Sequence, residues 1–144
     1  MSERFVLALD QIQPSQLYVS AAKLEHVQAV LDPDRPESLA PLPVKRLGGW
    51  VIFTDGHTRA VAAHLAGWTH VPVYWDLDEL DWDAYQTCVD WCRAAGIRTV
   101  ADLAGCIVSQ DEYDRVWLQR CARMHAELAA RRAAAAGFHV AKDE

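Results

Sequence analysis

The stretch Trp50-Val51-Ile52-Phe53-Thr54-Asp55-Gly56-His57-Thr58-Arg59-Ala60-Val61-Ala62-Ala63-His64-Leu65-Ala66-Gly67 decides the fold. Trp50 to Thr54 is a strand-like run of β-branched and aromatic residues. After Asp55-Gly56 the period changes. Val61, Ala62, Leu65 and Ala66 recur at helical spacing, and Gly67 supplies a C-cap. A strand, a tight turn and a helix are expected in succession.

Working towards the N-terminus, Val44 to Leu47 is a second strand-like run, joined to the first by Gly48-Gly49. That pair readily adopts the positive φ angles of a two-residue hairpin turn. Phe5 to Leu9 suits a first strand, which Ile12-Gln13-Pro14-Ser15 breaks because proline cannot continue a ladder. Ser20 can cap a helix from Ala21 to Leu31, with Leu24, Val27 and Leu31 as its buried stripe and Lys23, His26 and Gln28 on the opposite face. Asp32-Pro33-Asp34-Arg35-Pro36 ends that helix and opens a polar loop to Pro41, and Val71 to Trp75 reads as a last strand. The order β-α-β-β-α-β defines an α+β class with a small mixed sheet and packed helices.

The acidic run Asp76 to Asp83 divides the chain into residues 1–75 and an all-helical extension over residues 76–144 packed on it. One helix is expected from Asp81 or Trp82 to Ala95, ended by Gly96, and a short one from Thr99 to Leu103 with Asp102 three residues after its capping threonine. Ser109 and Glu112 form a capping box for a long helix to about Ala135. Ala129 to Ala136 has high helix propensity but little to pack against, and is expected to fray.

Composition narrows the function. A chain of 144 residues, 51% hydrophobic and 24% charged, can bury a normal core and lies far from the signature of disorder. No apolar run approaches the roughly 18 to 20 residues that span a bilayer, and Met1 to Asp10 lacks the basic segment of a secretory signal. No membrane partner and a cytoplasmic location are expected. The net charge is −6, and the excess acid lies beyond Trp75, where 13 acidic residues face 8 basic ones. Affinity for a phosphate backbone comes from Lys and Arg, so a nucleic-acid partner is not expected. Cys88, Cys92, Cys106 and Cys121 match no zinc or disulfide framework and read as small buried hydrophobes. His64, His70, His125 and His139 read as ordinary surface or core residues.

Asp55 to Arg59 gathers several anion-binding devices. Unpaired N-H groups at a helix N-terminus carry the positive end of the macrodipole. Gly56 lets the backbone approach a phosphate, Thr58 offers a hydroxyl, and Arg59 offers a planar fork for phosphate oxygens. His57 can donate a hydrogen bond or relay a proton near neutral pH, and Asp55 can hold a metal ion or act as base. The alternative is structural: Asp-Gly is a common turn dipeptide, and a histidine can merely begin a helix.

Pro14-Ser15, the helix bearing Lys23, the Asp-Pro loop, the Pro43-Val44 strand and Phe53 to Arg59 with Ala62-Ala63 resemble, in the same order, the ParB/sulfiredoxin superfamily. The resemblance covers about Phe5 to Trp75. The corresponding turn is Gly-Cys-His-Arg in sulfiredoxins, which bind ATP phosphates there, and Gly-Glu-x-Arg in ParB partition proteins, which bind CTP with magnesium. Gly56 and Arg59 match both. His57 stands at the sulfiredoxin cysteine, which excludes thiolate attack on an oxidised peroxiredoxin at this position. The turn is most similar to the Asp-Gly-His-His-Arg of the superfamily's free serine kinases.

That resemblance implies a nucleotide such as ATP, ADP or CTP with Mg2+, bound by Gly56, His57, Thr58, Arg59, Lys23 and His26. It also implies Asp55 and His57 as catalytic groups, Asp55 as metal ligand, and phosphoryl transfer to a small hydroxylated substrate or hydrolysis. The kinases carry a carboxylate near the first helix. Gln11 to Ala22 has none, so Glu25 or Asp10 would substitute. Two alternatives remain: a non-catalytic nucleotide-sensing module that recruits a protein through its helical half, and a DNA-associated ParB-like partition or nuclease domain.

Overall fold

A computed structural model describes the backbone of residues 3–143 and the side chains of residues 3–137. The hairpin forms where Gly48-Gly49 places it. Strands Leu42–Leu47 (β3) and Trp50–Phe53 (β4) pair antiparallel, with Leu47 opposite Trp50. Of the two glycines only Gly48 takes a positive φ, +57°, the sign pattern of a type II′ turn. Strand His70–Trp75 (β5) lies parallel to β3, and Arg4–Ala8 (β1) pairs antiparallel with β5, giving a four-stranded mixed sheet in the order β1-β5-β3-β4. The α+β class read from the sequence is the class observed.

Helix Ala21–Val30 (α1) begins at Ser20, whose hydroxyl accepts from the Lys23 amide. Helix His57–Leu65 (α2) follows β4 directly. Its buried residues are His57 and Ala60 to Ala63, whereas Leu65 is half exposed, so the stripe expected to include Leu65 is shifted towards the first two turns. The small alanines allow α2 to sit tightly against both α1 and helix Val100–Leu103 (α4).

Beyond β5, helix Trp82–Ala94 (α3) is capped by Asp81, which accepts from the Ala84 amide. The Thr99–Asp102 capping box on α4 is present in both directions. The extension is not all helical: Ile107–Val108 (β6) pairs in parallel with Val19–Ser20 (β2). Each strand is two residues long, and local sequence carries no signal for so short a pairing across such a separation. Ser109 caps Gln110–Tyr113 (α5), a π-helical turn spans Asp114–Leu118, and Gln119–Asp143 (α6) completes the chain. The long helix expected from Ser109 is therefore interrupted. It also continues past Ala135 rather than ending there, although residues 129–137 are exposed as their lack of packing partners implied. One core runs through both halves, from Leu9, Val19 and Leu24 through Phe53, Val61 and Val73 to Leu103, Trp117 and Leu128.

Candidate functional site

The turn between β4 and α2 is pinned from three sides by Thr54. Its amide donates to the Pro43 carbonyl (3.1 Å), its hydroxyl donates to Asp76 Oδ2 (2.7 Å), and its carbonyl accepts from the Tyr85 hydroxyl (2.9 Å). Gly56 then adopts φ +77°, and a Cβ there would lie 2.8 Å from Leu42 Cδ2 and 2.9 Å from Arg59 Nη2. Glycine is required by conformation and by space. No side chain caps α2, so the amides of its first turn keep their outward donors.

Arg59 is half-buried, and its Nη1 donates to the Ala40 and Pro41 carbonyls (3.2 and 3.3 Å). No carboxylate pairs with it among the described residues. The guanidinium is thus fixed by neutral acceptors and keeps its charge uncompensated beside the open helix end. A cleft of about 430 Å³ opens here, and its walls include Lys23, His26, Asp55, Gly56, His57, Thr58 and Arg59. Every residue expected to hold the nucleotide meets in this one cleft. Lys23 Nζ also lies 4.9 Å from the centre of the Tyr113 ring.

Two expected roles are corrected. His57 is 5% exposed, and its Nε2 accepts the Ser15 amide at 2.9 Å. An amide can only donate, so the neutral ring carries its proton on Nδ1. Burial pushes the His57 pKa down to about 4, against a smaller opposing pull from Asp55, because the charged ring would lose its hydration. It therefore cannot relay protons near neutral pH, and it acts as a fixed neutral donor. Glu25 is exposed and absent from the cleft walls: helical geometry of about 100° per residue turns it some 200° from Lys23. Asp10 lines a separate cleft with His64 and Thr99. Among the described residues, Asp55 is the one carboxylate on the wall of the cleft.

As for a metal, no three His, Cys, Asp or Glu side chains gather at ligand distance among the described residues. A protein-only cage is absent there. A single carboxylate does suit Mg2+, which is commonly held by one or two carboxylates plus substrate phosphates.

Sequence reading missed Gln16 and Tyr113, and gave Ser15 no role in the site beyond its place in the resemblance. Ser15 N and Oγ tie the Pro14-Ser15 segment to His57 and to the Phe53 carbonyl (2.7 Å). Gln16 and Tyr113 complete the cleft, with burial pushing the Tyr113 phenol up to about 12, so it stays a hydroxyl donor. The Pro14-Ser15 pair, quoted for the resemblance, was the signal for that segment. Tyr113 arrives from the far half of the chain. Cys88 and Cys92 are buried and Cys106 and Cys121 half-buried, all as free thiols. The side chain of His139 lies outside the described residues.

Fold and site together define an α+β protein with a four-stranded mixed sheet and a basic cleft at the start of the helix that follows its hairpin. No protein-family model matches the chain, and comparison with curated proteins returns no match. Among solved structures it is similar to the crystal structure of protein Atu1540 from Agrobacterium tumefaciens, at 18% sequence identity and a TM-score of 0.51. The match covers 72% of this chain and 62% of that one, so the chain spans less than two thirds of that protein's length. At this identity the likeness concerns the fold alone. No helix among the described residues is long and apolar enough to cross a membrane.

Proposed function

We propose that the chain is a ParB/sulfiredoxin-like nucleotide-binding protein that uses ATP, ADP or CTP with Mg2+ for phosphoryl transfer or hydrolysis. The observation that carries this reading is the convergence of Lys23, His26 and Arg59 with the uncapped first turn of α2 on one cleft. An unpaired guanidinium, an ammonium and free amides together favour an anion with several oxygens, such as a di- or triphosphate. Asp55, with the nucleotide's own phosphates, would hold Mg2+, whose chemistry is to neutralise phosphate charge. Arg59 orients the phosphates. His57 fixes the Ser15 segment and offers a neutral Nδ1-H. The alternative role of Asp55, in place of holding the metal, is to accept the proton of the attacking hydroxyl.

The test is thermal-shift screening with each nucleotide and Mg2+, followed by assay of phosphate release and transfer. A ligand at a hundred times its dissociation constant adds about 2.7 kcal/mol. Absence of any nucleotide-dependent shift sinks the reading.

A second reading, nucleotide sensing without turnover, is favoured by the burial of His57 and the outward position of Glu25. It predicts the same thermal shift with no nucleotide consumed over hours, and steady turnover would eliminate it. The DNA-associated reading gains no support from a basic surface, and a gel shift at low salt tests it.

A further inference from the structure

A second cleft, of about 250 Å³, adjoins the first and shares Gln16, Asp55 and His57 with it. Its far wall comes entirely from the helical half: Ala84 and Cys88 of α3, Trp117 of the π turn, and Cys121, Met124 and His125 of α6. Tyr113, the last residue of α5, lines the first cleft, and Trp117 of the π turn that follows it lines the second.

The two clefts differ in charge. Lys23 and Arg59 line the first, whereas among the described residues no Lys or Arg lines the second. Asp55 and Asp81 are on its wall. Arg132, at the rim, bonds both Asp81 (2.8 and 3.1 Å) and Asp83 (3.2 Å), so one guanidinium answers two carboxylates and the rim stays negative. Arg120 is stacked over Trp91 at 4.1 Å and is not on the lining. The indole of Trp117 and the thioether of Met124 supply an apolar, polarisable floor.

We propose that this second cleft is the acceptor site, and that it takes a small hydroxylated amine rather than a hydroxy acid. The inference rests on the nucleotide reading above for the donor, but the recognition of the amine does not. An ammonium gains from Asp55 and from the indole of Trp117, while a carboxylate meets Asp55 and Asp81 on a wall whose nearby guanidinium, Arg132, is already engaged by Asp81 and Asp83. The volume suits a molecule of a few heavy atoms, below the range of drug-sized ligands. In the transfer step the acceptor oxygen forms a bond to the terminal phosphorus as the bridging P-O bond breaks. The hydroxyl proton passes to a non-bridging oxygen of the transferred phosphoryl group, and the shortened nucleotide leaves with the electron pair.

Calorimetric titration of the full chain with 2-aminoethanol, propane-1,2-diol and lactate, without nucleotide, tests the pocket directly. The amine should bind at least about tenfold tighter than the acid, a difference worth about 1.4 kcal/mol. Cys121→Phe, which fills the cleft, should remove amine binding and keep the nucleotide thermal shift. Asp55→Asn leaves the cleft open and should erase the preference of amine over diol. Equal or tighter binding of lactate overturns the proposal, as does amine binding that survives in folded Cys121→Phe. A nucleotide shift with no amine binding rejects the acceptor site alone. Amine binding with no nucleotide shift rejects the donor reading and keeps the amine site.

Discussion

The Ser15 amide donates to Nε2 of His57 at 2.9 Å, across 42 residues, and this bond locks the start of α2 to the segment that follows β1. The histidine is consumed as a structural acceptor on one edge and left as a donor on the other. That division explains why the residue occupying the centre of the turn motif is buried, where sequence reading expected a residue exposed to ligand.

The bond carries a pH dependence. The His57 pKa falls from 6.5 unfolded to about 4 folded, so the unfolded chain binds more protons between those values. Stability is therefore complete above pH 6.5 and is lost as pH falls towards 4, by roughly 3 kcal/mol at most. Urea unfolding of the wild type and His57→Gln at several pH values checks this. The difference between them should shrink as pH falls from 7 to 4.5, and parallel profiles would refute the assignment.

Gly56→Ala and Gly48→Ala separate strain from crowding. Both positions have positive φ, +77° and +57°, but a Cβ at Gly48 meets nothing within 4 Å. Gly48→Ala should cost about 1–2 kcal/mol, the left-handed penalty alone. Gly56→Ala adds overpacking against fully buried Leu42, for a total of about 3 kcal/mol, and displaces Arg59. Denaturant midpoints give the costs. The nucleotide thermal shift should persist in the first variant and disappear in the second.

Arg59 tests charge against geometry. Arg59→Ala should abolish the nucleotide shift. Arg59→Lys retains the charge but cannot span the Ala40 and Pro41 carbonyls while presenting a fork, so it should recover only part of the shift. Full recovery by lysine would show that charge alone binds the phosphates.

Local chemistry wrote the hairpin, the turn and nearly every helix start into the sequence. Gly48, Ser20, Asp81, Thr99 with Asp102, and Ser109 all act where their types imply, because a cap or a tight turn involves neighbours within a few residues. The near wall of the first cleft was legible for the same reason. The pairing of Val19 with Ile107, the π turn and the second cleft were not. Each depends on which elements dock at long range, and hydrophobic period does not encode that. His57 illustrates the limit: its neighbours in sequence said helix N-terminus, while its burial is set by Ser15 and Phe53.

Gln13 carries the last prediction, because its buried amide joins the two halves. It is 3% exposed, its Nε2 donates to the Ile97 carbonyl (2.9 Å), and its Oε1 accepts from Arg93 Nη1 (3.1 Å). Its backbone extends the sheet by bonding Val51 and Phe53. Gln13→Leu keeps the bulk but leaves the Ile97 carbonyl and the Arg93 donor without this partner, costing about 2–4 kcal/mol. Breaking the exposed Arg35–Glu37 pair with Glu37→Gln, both side chains being about two-thirds exposed (68% and 66%), should leave the midpoint unchanged, because solvent screens the pair. Because one core spans both halves, Gln13→Leu should lower the midpoint of a single cooperative transition. Two resolved transitions in calorimetry would show that the helical half folds as a separate unit and would overturn the continuous-core account.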